Sequence, residues 1–106
     1  MPMSRGKLAA QVAHAAVSAA EECRKSHPEW FSAWFEEGQC KIVLGVDGEE
    51  ELVAIYEKAK SLGLPASLVV DRGLTEIPPG TKTCVGIGPA PSERVDEVTG
   101  HLRLLR

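Results

Sequence analysis

The chain lacks the features that mark several large classes of protein. Its three cysteines, Cys23, Cys40 and Cys84, form no CxxC pair and have no histidine at ligand spacing, which argues against a disulfide framework or a zinc site and favours a reducing cytoplasm. The sequence shows no secretory signal and no apolar run long enough to span a bilayer, so we expect no membrane partner. With a net charge of −3 it is not a generally basic nucleic-acid binder, and any contact with a polyanion must come from a local patch.

Common motifs for nucleotide binding and nucleophilic catalysis are missing as well. Gly6-Lys7 is not part of a P-loop, because no glycine lies five residues before Gly6 and Leu8 stands where Ser or Thr would bind magnesium. Gly86 and Gly88 have no third glycine and no following cofactor helix. There is no Gly-x-Ser-x-Gly sequence for a serine nucleophile. We therefore expect no cofactor and no metal site.

The alternation of helical and strand patterns predicts an α/β fold in a single domain of 106 residues. Helices are predicted from Ser4 to about Arg24, from Pro28 to Gly38, from an Asp47 cap with a Glu50 capping box to Gly63, and from a Ser92 cap to about Thr99. Strands are predicted at Lys41–Val46, Ala66–Val70 and Cys84–Ile87. The first two strands should be parallel neighbours across a helix, whereas the third should pair antiparallel with the second, because their connection is too short for a crossover. The leucines of residues 101–106 are expected to cover the core.

The connection between the last two strands collects polar side chains at one edge of the sheet. Asp71 follows a buried strand, Thr83 precedes the next one, and Thr75 and Thr81 lie between them. Ligands of open α/β sheets bind at the carboxyl ends of the parallel strands, so we expect the chemistry near Asp71. The alternative is that these residues only shape the turn through hydrogen bonds to nearby backbone.

A stripe of polar side chains interrupts the otherwise apolar first helix. Lys7, Gln11, His14 and Ser18 fall within about 60° of one another, while the small apolar remainder should be packed on several sides. Lys7 lies in the first turn, where a cation opposes the helix dipole, and such a departure is typical of functional sites. The alternatives are a solvated Lys7 and a His14 that is simply a satisfied core histidine.

Basic residues are expected around this edge of the sheet despite the acidic total. The predicted substrate-binding residues are Arg5, Gln11, His14, Arg72, Thr81 and Lys82. Together with Lys7, the basic members of this set would surround Asp71 and form a rim that suits a phosphate-bearing substrate.

With these residues identified, the chain resembles the archaeal and eukaryotic type of peptidyl-tRNA hydrolase. Three blocks carry the resemblance: residues 6–16 (GKLAAQVAHAA), residues 71–89 (DRGLTEIPPGTKTCVGIGP) and residues 98–102 (VTGHL). The similarity spans nearly the whole chain, and the combination of blocks is far more specific than any one of them.

The resemblance implies a three-layer α/β/α sandwich around a small mixed β-sheet of two parallel strands and one antiparallel strand. It implies hydrolysis of the ester between a peptide and the 3′ ribose of tRNA, without an organic cofactor, in proteins of which many are homodimers. The family's catalytic positions match Lys7, Asp71, Thr75 and Thr83.

The chain also departs from the family. Arg72, Leu74 and Glu76 replace the residues usual at their positions, which could change the grip on the acceptor end of tRNA. The family has an apolar first β-strand ahead of residue 3, which residues 1–106 lack. Its loss would leave unpaired backbone and exposed apolar surface. Either the sequence continues upstream, or a partner fills the gap, or the domain is compromised.

Two functions from different classes follow from these observations. In an esterase, Asp71 orients or deprotonates a water, and Lys7 with Thr75 or Thr83 stabilises the oxyanion. In a non-catalytic module, the same rim holds tRNA or a protein. The missing strand and the net negative charge favour this second function. A third reading, a domain that binds a small phosphate ester, rests only on the start of the first helix.

Overall fold

The computed structural model describes residues 3–71 and 80–106. In chain order these residues form α1 (Arg5–Ser26), α2 (Pro28–Glu36), β1 (Leu44–Gly45), α3 (Glu49–Ser61), β2 (Ala66–Val70), β3 (Lys82–Ile87), α4 (Ser92–Thr99) and β4 (Arg103–Leu104). The described strands pair as two separate antiparallel sheets, β1 with β4 and β2 with β3. The predicted α/β class is therefore confirmed.

Helix α1 begins where the sequence predicts and places Lys7 in its first turn. The side chain of Ser4, the N-cap residue, accepts a hydrogen bond from the backbone N–H of Lys7 at 3.3 Å. Arg24 and Lys25 lie in the last turn, where cations complement the negative end of the helix dipole. Pro28 then opens α2, at a position where its missing N–H costs no hydrogen bond.

The hairpin of β2 and β3 is antiparallel, as predicted, but its ladder contains a β-bulge. Val69 pairs with Cys84 and Val70 pairs with Lys82, so Thr83 is an extra residue in β3. The strand also starts at Lys82, two residues before the predicted start. Because an extra residue interrupts the alternation of side chains, the direction of Thr83 does not follow from the rest of the strand.

Helices α1 and α3 cover opposite faces of this hairpin. A Cβ atom on Gly86 would collide with the carbonyl oxygen of Ala15 in α1. Ile87, the next residue, packs against the core cluster that contains Ile55 and Ala59 of α3. Since successive side chains of a strand point to opposite faces, α1 lies on one face of β3 and α3 on the other.

The main core lies between α3, β2 and α4. Its buried residues are Ile55, Ala59, Leu64, Ala66 and Val98. Leu102 packs against this cluster, whereas Leu104 and Leu105 are exposed. The prediction that the terminal leucines cover the core is therefore confirmed for Leu102 and wrong for Leu104 and Leu105; Leu104 instead pairs with Leu44 in the short sheet of β1 and β4.

Strand β1 is shorter than predicted and has an unpredicted partner. Of the predicted Lys41–Val46, only Leu44–Gly45 forms a strand, in which Leu44 pairs with Leu104 and Gly45 with Arg103. A two-residue strand is too short for a periodic pattern, so β4 could not be recognised. Within the described residues β1 and β2 are not hydrogen-bonded neighbours.

The start of α3 differs from the predicted capping box. Its N-cap is Gly48, which makes no side-chain capping bond, and not Asp47. The carboxylate that reaches back to the N–H of Asp47 belongs to Glu51, at 2.9 Å, and not to Glu50. The cap thus lies one residue later than predicted, and no reciprocal capping box forms, because Gly48 has no side chain and Glu51 accepts from the residue before the cap.

The end of α3 and both ends of α4 lie close to their predicted positions. Gly63 follows α3 with a φ of +75°, the left-handed conformation in which glycine is favoured, as predicted. Helix α4 has Pro91 as its N-cap, so Ser92 is its first residue and not its cap, and it ends at Thr99 as predicted, with Gly100 as its C-cap.

The apolar surface of α1 is covered on one side and open on another, so the expectation of packing on several sides is only partly met. Ala15, Ala19 and Cys23 are buried, whereas Val17 is 70% exposed. An open groove of about 820 Å³ runs between α1, α2 and residues 39–43. Neither α1 nor another helix in the described part of the chain is long and apolar enough to cross a membrane.

Candidate active site

An ion pair between Lys7 and Asp71 links the start of α1 to the end of β2. The Nζ atom of Lys7 lies 2.6 Å from Oδ1 of Asp71, and the two side chains are 11% and 3% exposed. Charged groups this far from water are normally paired, because an isolated buried charge is costly. The sequence predicts both residues as catalytic, and the structure brings them into direct contact.

The backbone of Asp71 makes two hydrogen bonds across the base of the connection between β2 and β3. Its N–H donates to the carbonyl oxygen of Thr81 at 2.8 Å, and its own carbonyl oxygen accepts from the N–H of Gly80 at 2.9 Å. Thr81, a predicted substrate-binding residue, is buried. Because these bonds hold Asp71 beyond the last residue of β2, they fix the backbone from which the carboxylate reaches Lys7.

A hydrogen bond between Gln11 and Thr83 forms a second link between α1 and the hairpin. Nε2 of Gln11 donates to Oγ1 of Thr83 at 2.8 Å. Gln11 lies four residues after Lys7, so both side chains project from one face of the helix. The two links therefore stand side by side at the edge of the hairpin.

The β-bulge explains why Thr83 points to α1. Gly86 faces α1, so a regular alternation would place Lys82 on the same face and Thr83 on the opposite one. Instead, Nζ of Lys82 lies 3.7 Å from Glu49 at the start of α3, and Thr83 reaches Gln11. Lys82, a predicted member of the basic rim, thus lies on the other face of the sheet.

The remaining predicted residues fall into two groups. His14 is exposed on α1, which excludes the alternative of a buried core histidine. Arg5 is exposed in the first turn and lines the open groove beside α2. Arg72 and Thr75, predicted for substrate binding and catalysis, lie outside the described residues.

In the described part of the chain, Cys23, Cys84 and the acidic residues show no sign of a second site. Burial, with a smaller contribution from Glu29, raises the pKa of the Cys23 thiol, and burial raises that of Cys84. Because the thiolate is the reactive form, neither group is activated as a nucleophile. In residues 3–71 and 80–106, no three His, Cys, Asp or Glu side chains are grouped to hold a metal ion.

A sequence profile of the family described as "Peptidyl-tRNA hydrolase PTH2" matches residues 1–105. The chain belongs to this family. A Thermococcus onnurineus protein named peptidyl-tRNA hydrolase is 55% identical over 105 residues, which cover 99% of this chain and 89% of that protein. Proteins of the same name from Staphylothermus marinus and Methanocaldococcus jannaschii are 55% and 46% identical, each over 103 residues, which cover 97% of this chain and 85% and 90% of those proteins. The peptidyl-tRNA hydrolase resemblance drawn from the three sequence blocks is thereby confirmed.

One residue of this peptidyl-tRNA hydrolase family member that the sequence analysis missed is Gly86. Its lack of a side chain lets the backbone of Ala15 approach β3, which sets the height of α1 above the hairpin and thus the reach of Lys7 and Gln11. A glycine inside a strand pattern is a known sign of such a close approach. That signal was available in the segment Cys84–Ile87.

Proposed function

We propose that this chain hydrolyses the ester between the peptide and the 3′ ribose of peptidyl-tRNA, releasing the peptide and free tRNA for further translation. The observation that carries the proposal is the Lys7–Asp71 ion pair beside the Gln11–Thr83 hydrogen bond. Membership of the peptidyl-tRNA hydrolase family supports it. Ester hydrolysis needs an activated water and a group that stabilises the oxyanion, and this corner of the fold offers candidates for both.

In the proposed mechanism Asp71 orients or deprotonates the attacking water as a general base. The backbone hydrogen bonds of Asp71 with Thr81 and Gly80 support this role, because they hold the backbone of Asp71 in place. Covalent attack by Thr83 is disfavoured, since the Gln11 amide donates a hydrogen bond to its hydroxyl oxygen and is not a base that could remove the hydroxyl proton.

Lys7 stabilises the negative charge that develops on the ester carbonyl oxygen. Its ammonium has three N–H donors, of which one is directed at Asp71, so two can serve the oxyanion. The hydroxyl of Thr83 is the proposed second donor. Thr75 is proposed as a further donor from the family positions alone.

The tRNA is held by phosphate contacts near the start of α1. Arg5 supports this proposal because it is exposed in the first turn of α1, the turn that carries Lys7, and an exposed cation can contact a phosphate. We propose two further contacts: His14, from its place on the polar stripe of α1, and Arg72, because it directly follows Asp71 in the sequence. The placement of Lys82 beside Glu49 speaks against its use in this rim.

We further propose that both small sheets belong to one mixed sheet in a three-layer α/β/α domain over residues 1–106, in which β1 and β2 run parallel. Ile42 and Val43 beside β1 are exposed apolar residues, which supports a longer strand in this segment that faces an open edge of such a sheet. A homodimer and a cytoplasmic location are proposed from the family resemblance and the cysteine usage.

A non-catalytic module that binds tRNA or a protein is the second candidate. The separation of the strands into two small sheets favours it, because an interrupted sheet would hold the ends of β2 and β3 less rigidly. Such a module would use the same basic side chains without turnover.

Release of N-blocked amino acids from bulk aminoacyl-tRNA tests the proposal. We expect turnover by the wild-type chain and a loss in kcat of about 10²-fold or more in Lys7→Ala and in Asp71→Ala, with both variants folded by circular dichroism. Lys60→Ala, which breaks an exposed ion pair with Glu22, is the control and should keep wild-type turnover. Near-normal turnover in either site variant would remove the role assigned to that residue. Binding of tRNA without hydrolysis, even with the chain in excess, would establish the binding module instead.

A further inference from the structure

We propose that Gln11 is a positioning residue that acts through Thr83 and does not itself bind the substrate. Its amide donates a hydrogen bond to the Thr83 hydroxyl oxygen. The hydroxyl can then donate its own hydrogen bond to the ester carbonyl oxygen. The inference rests on the proposed ester hydrolysis, since it treats Thr83 as a donor to the oxyanion.

The direction of the hydrogen bond carries the first step. Nε2 of Gln11 is a donor, so Oγ1 of Thr83 is the acceptor in their 2.8 Å contact. A hydroxyl has one proton and two lone pairs, and the proton must point away from the lone pair that Gln11 occupies. The carbonyl oxygen of Val69 lies 3.5 Å from this hydroxyl, at the limit of a hydrogen bond, so it competes only weakly for the proton.

The backbone at Thr83 carries the second step. The extra residue between the Val69–Cys84 and Val70–Lys82 pairs turns Thr83 to the α1 face. In an unbulged strand its hydroxyl would face α3 and could not meet Gln11. A bulge gives up a regular ladder pair, and bulges are common next to active sites, where they re-aim a side chain.

The surroundings of Gln11 carry the third step. Among the described charged or titratable residues, Lys7 and His14 lie one turn from Gln11 on its own helix, Asp71 at the end of β2 is paired with Lys7, Cys84 follows Thr83 in β3, and Lys82 lies on the opposite face. Because Lys7 already brings a cation to this corner, a second group that bound substrate directly would duplicate it. The neutral amide of Gln11 instead orients the Thr83 hydroxyl, so that the site gains an uncharged hydrogen-bond donor beside the Lys7–Asp71 ion pair.

A double-mutant cycle separates positioning from direct binding. Gln11→Met removes the donor at similar length, and Thr83→Val removes the hydroxyl at similar shape. We expect each change to lower kcat by about 10²-fold with little change in KM, and the double variant to lose no more than Thr83→Val alone. If Gln11 touches the substrate itself, the two losses will multiply to about 10⁴-fold, and the inference is overturned.

A pH profile of Gln11→Glu gives a readout that a merely structural role would not move. A carboxylate only accepts hydrogen bonds, so the Thr83 hydroxyl would donate its hydrogen bond to the carboxylate and not to the ester. A protonated carboxyl can donate a hydrogen bond to the hydroxyl oxygen, as the Gln11 amide does. We expect kcat relative to wild type to be low at pH 8 and to recover as the pH falls into the ordinary range of a glutamate, about 4 to 5. Gln39→Glu, the same change in the segment beside α2, is the control and should give a flat ratio. A flat ratio for Gln11→Glu would contradict the inference.

Exchange of the Gln11 side-chain amide protons with solvent, followed by NMR, tests the contact without turnover. We expect slow exchange in the wild-type chain and faster exchange in Thr83→Val. Equal rates would overturn the inference even if the enzyme is active. If the wild-type chain hydrolyses no ester, the proposed function fails. The contact between Gln11 and Thr83 is tested separately, because an amide exchange rate that does not change in Thr83→Val would show that the contact is absent.

Discussion

The Lys7 ammonium and the Asp71 carboxylate make a largely buried 2.6 Å contact that joins the start of α1 to the end of β2. Lys60 and Glu22 make an ion pair of the same length on the surface, with side chains that are 42% and 40% exposed. The chain thus offers two matched ion pairs that differ mainly in burial. Their comparison separates the effect of desolvation from that of the contact itself.

Removal of the cation should therefore cost much more at the buried pair than at the exposed one. We expect Lys7→Met to lower the free energy of unfolding by about 3 kcal/mol, because it leaves the Asp71 carboxylate buried without its ammonium. Lys60→Met should cost about 1 kcal/mol or less, since exposed ion pairs contribute little. Urea unfolding followed by circular dichroism measures both values, and equal losses would contradict the role of burial.

Gly86→Ala should disturb both links of the site from a distance. The new methyl group would collide with the carbonyl oxygen of Ala15 and lie 3.1 Å from Cβ of Ala19. Because neither a helix backbone nor a short alanine can move aside alone, α1 must shift, and overpacking of this kind typically costs about 1–3 kcal/mol.

We expect the same variant to lose turnover, since the contacts of Lys7 and Gln11 depend on the height of α1. Gly48→Ala is the matched control, because a Cβ atom there meets nothing within 4 Å. It should keep wild-type kcat. Normal turnover in Gly86→Ala would mean that the helix accommodates the methyl group without moving the site.

The comparison of sequence and structure shows which features depend on local rules. The Ser4 cap and the left-handed Gly63 follow from single-residue preferences, and the polar stripe that contains Lys7 follows from helical periodicity. The direction of Thr83 depends on an extra residue in β3 that only the pairing with β2 reveals. Likewise Leu104 pairs with Leu44, sixty residues away in sequence. A six-residue tail is too short for a periodic pattern that would predict this pairing.

The three thiols should differ strongly in their rates of alkylation. Burial raises the pKa of Cys84 and Cys23, so less thiolate is present at any pH below those values, whereas Cys40 is exposed. We expect iodoacetamide at pH 7.5 to label Cys40 first, because the thiolate is the nucleophile. Peptide mapping by mass spectrometry measures the order.

The raised pKa of a buried thiol also makes the stability of the folded chain depend on pH. A thiol whose pKa is raised in the folded state contributes stability below the ordinary thiol pKa, which is lost as the pH rises towards the folded-state value. Urea unfolding of Cys84→Ala should therefore show a smaller decrease in stability between pH 8 and pH 10 than the wild-type chain. The same decrease in both would contradict the assignment, and Cys40→Ala serves as the exposed control.

Arg5→Gln should weaken tRNA binding without changing the chemical step. A phosphate contact releases counterions, so its loss should make the slope of log K against log salt concentration less steep by about one. We expect KM to rise several-fold while kcat stays at the wild-type value, because Arg5 lies outside the pair of links formed by Lys7 and Gln11. Arg103→Gln, an exposed arginine of β4, removes the same charge elsewhere and should leave slope and KM unchanged. If both variants shift the slope equally, the effect is one of total charge, and the proposed phosphate contact at the start of α1 is wrong.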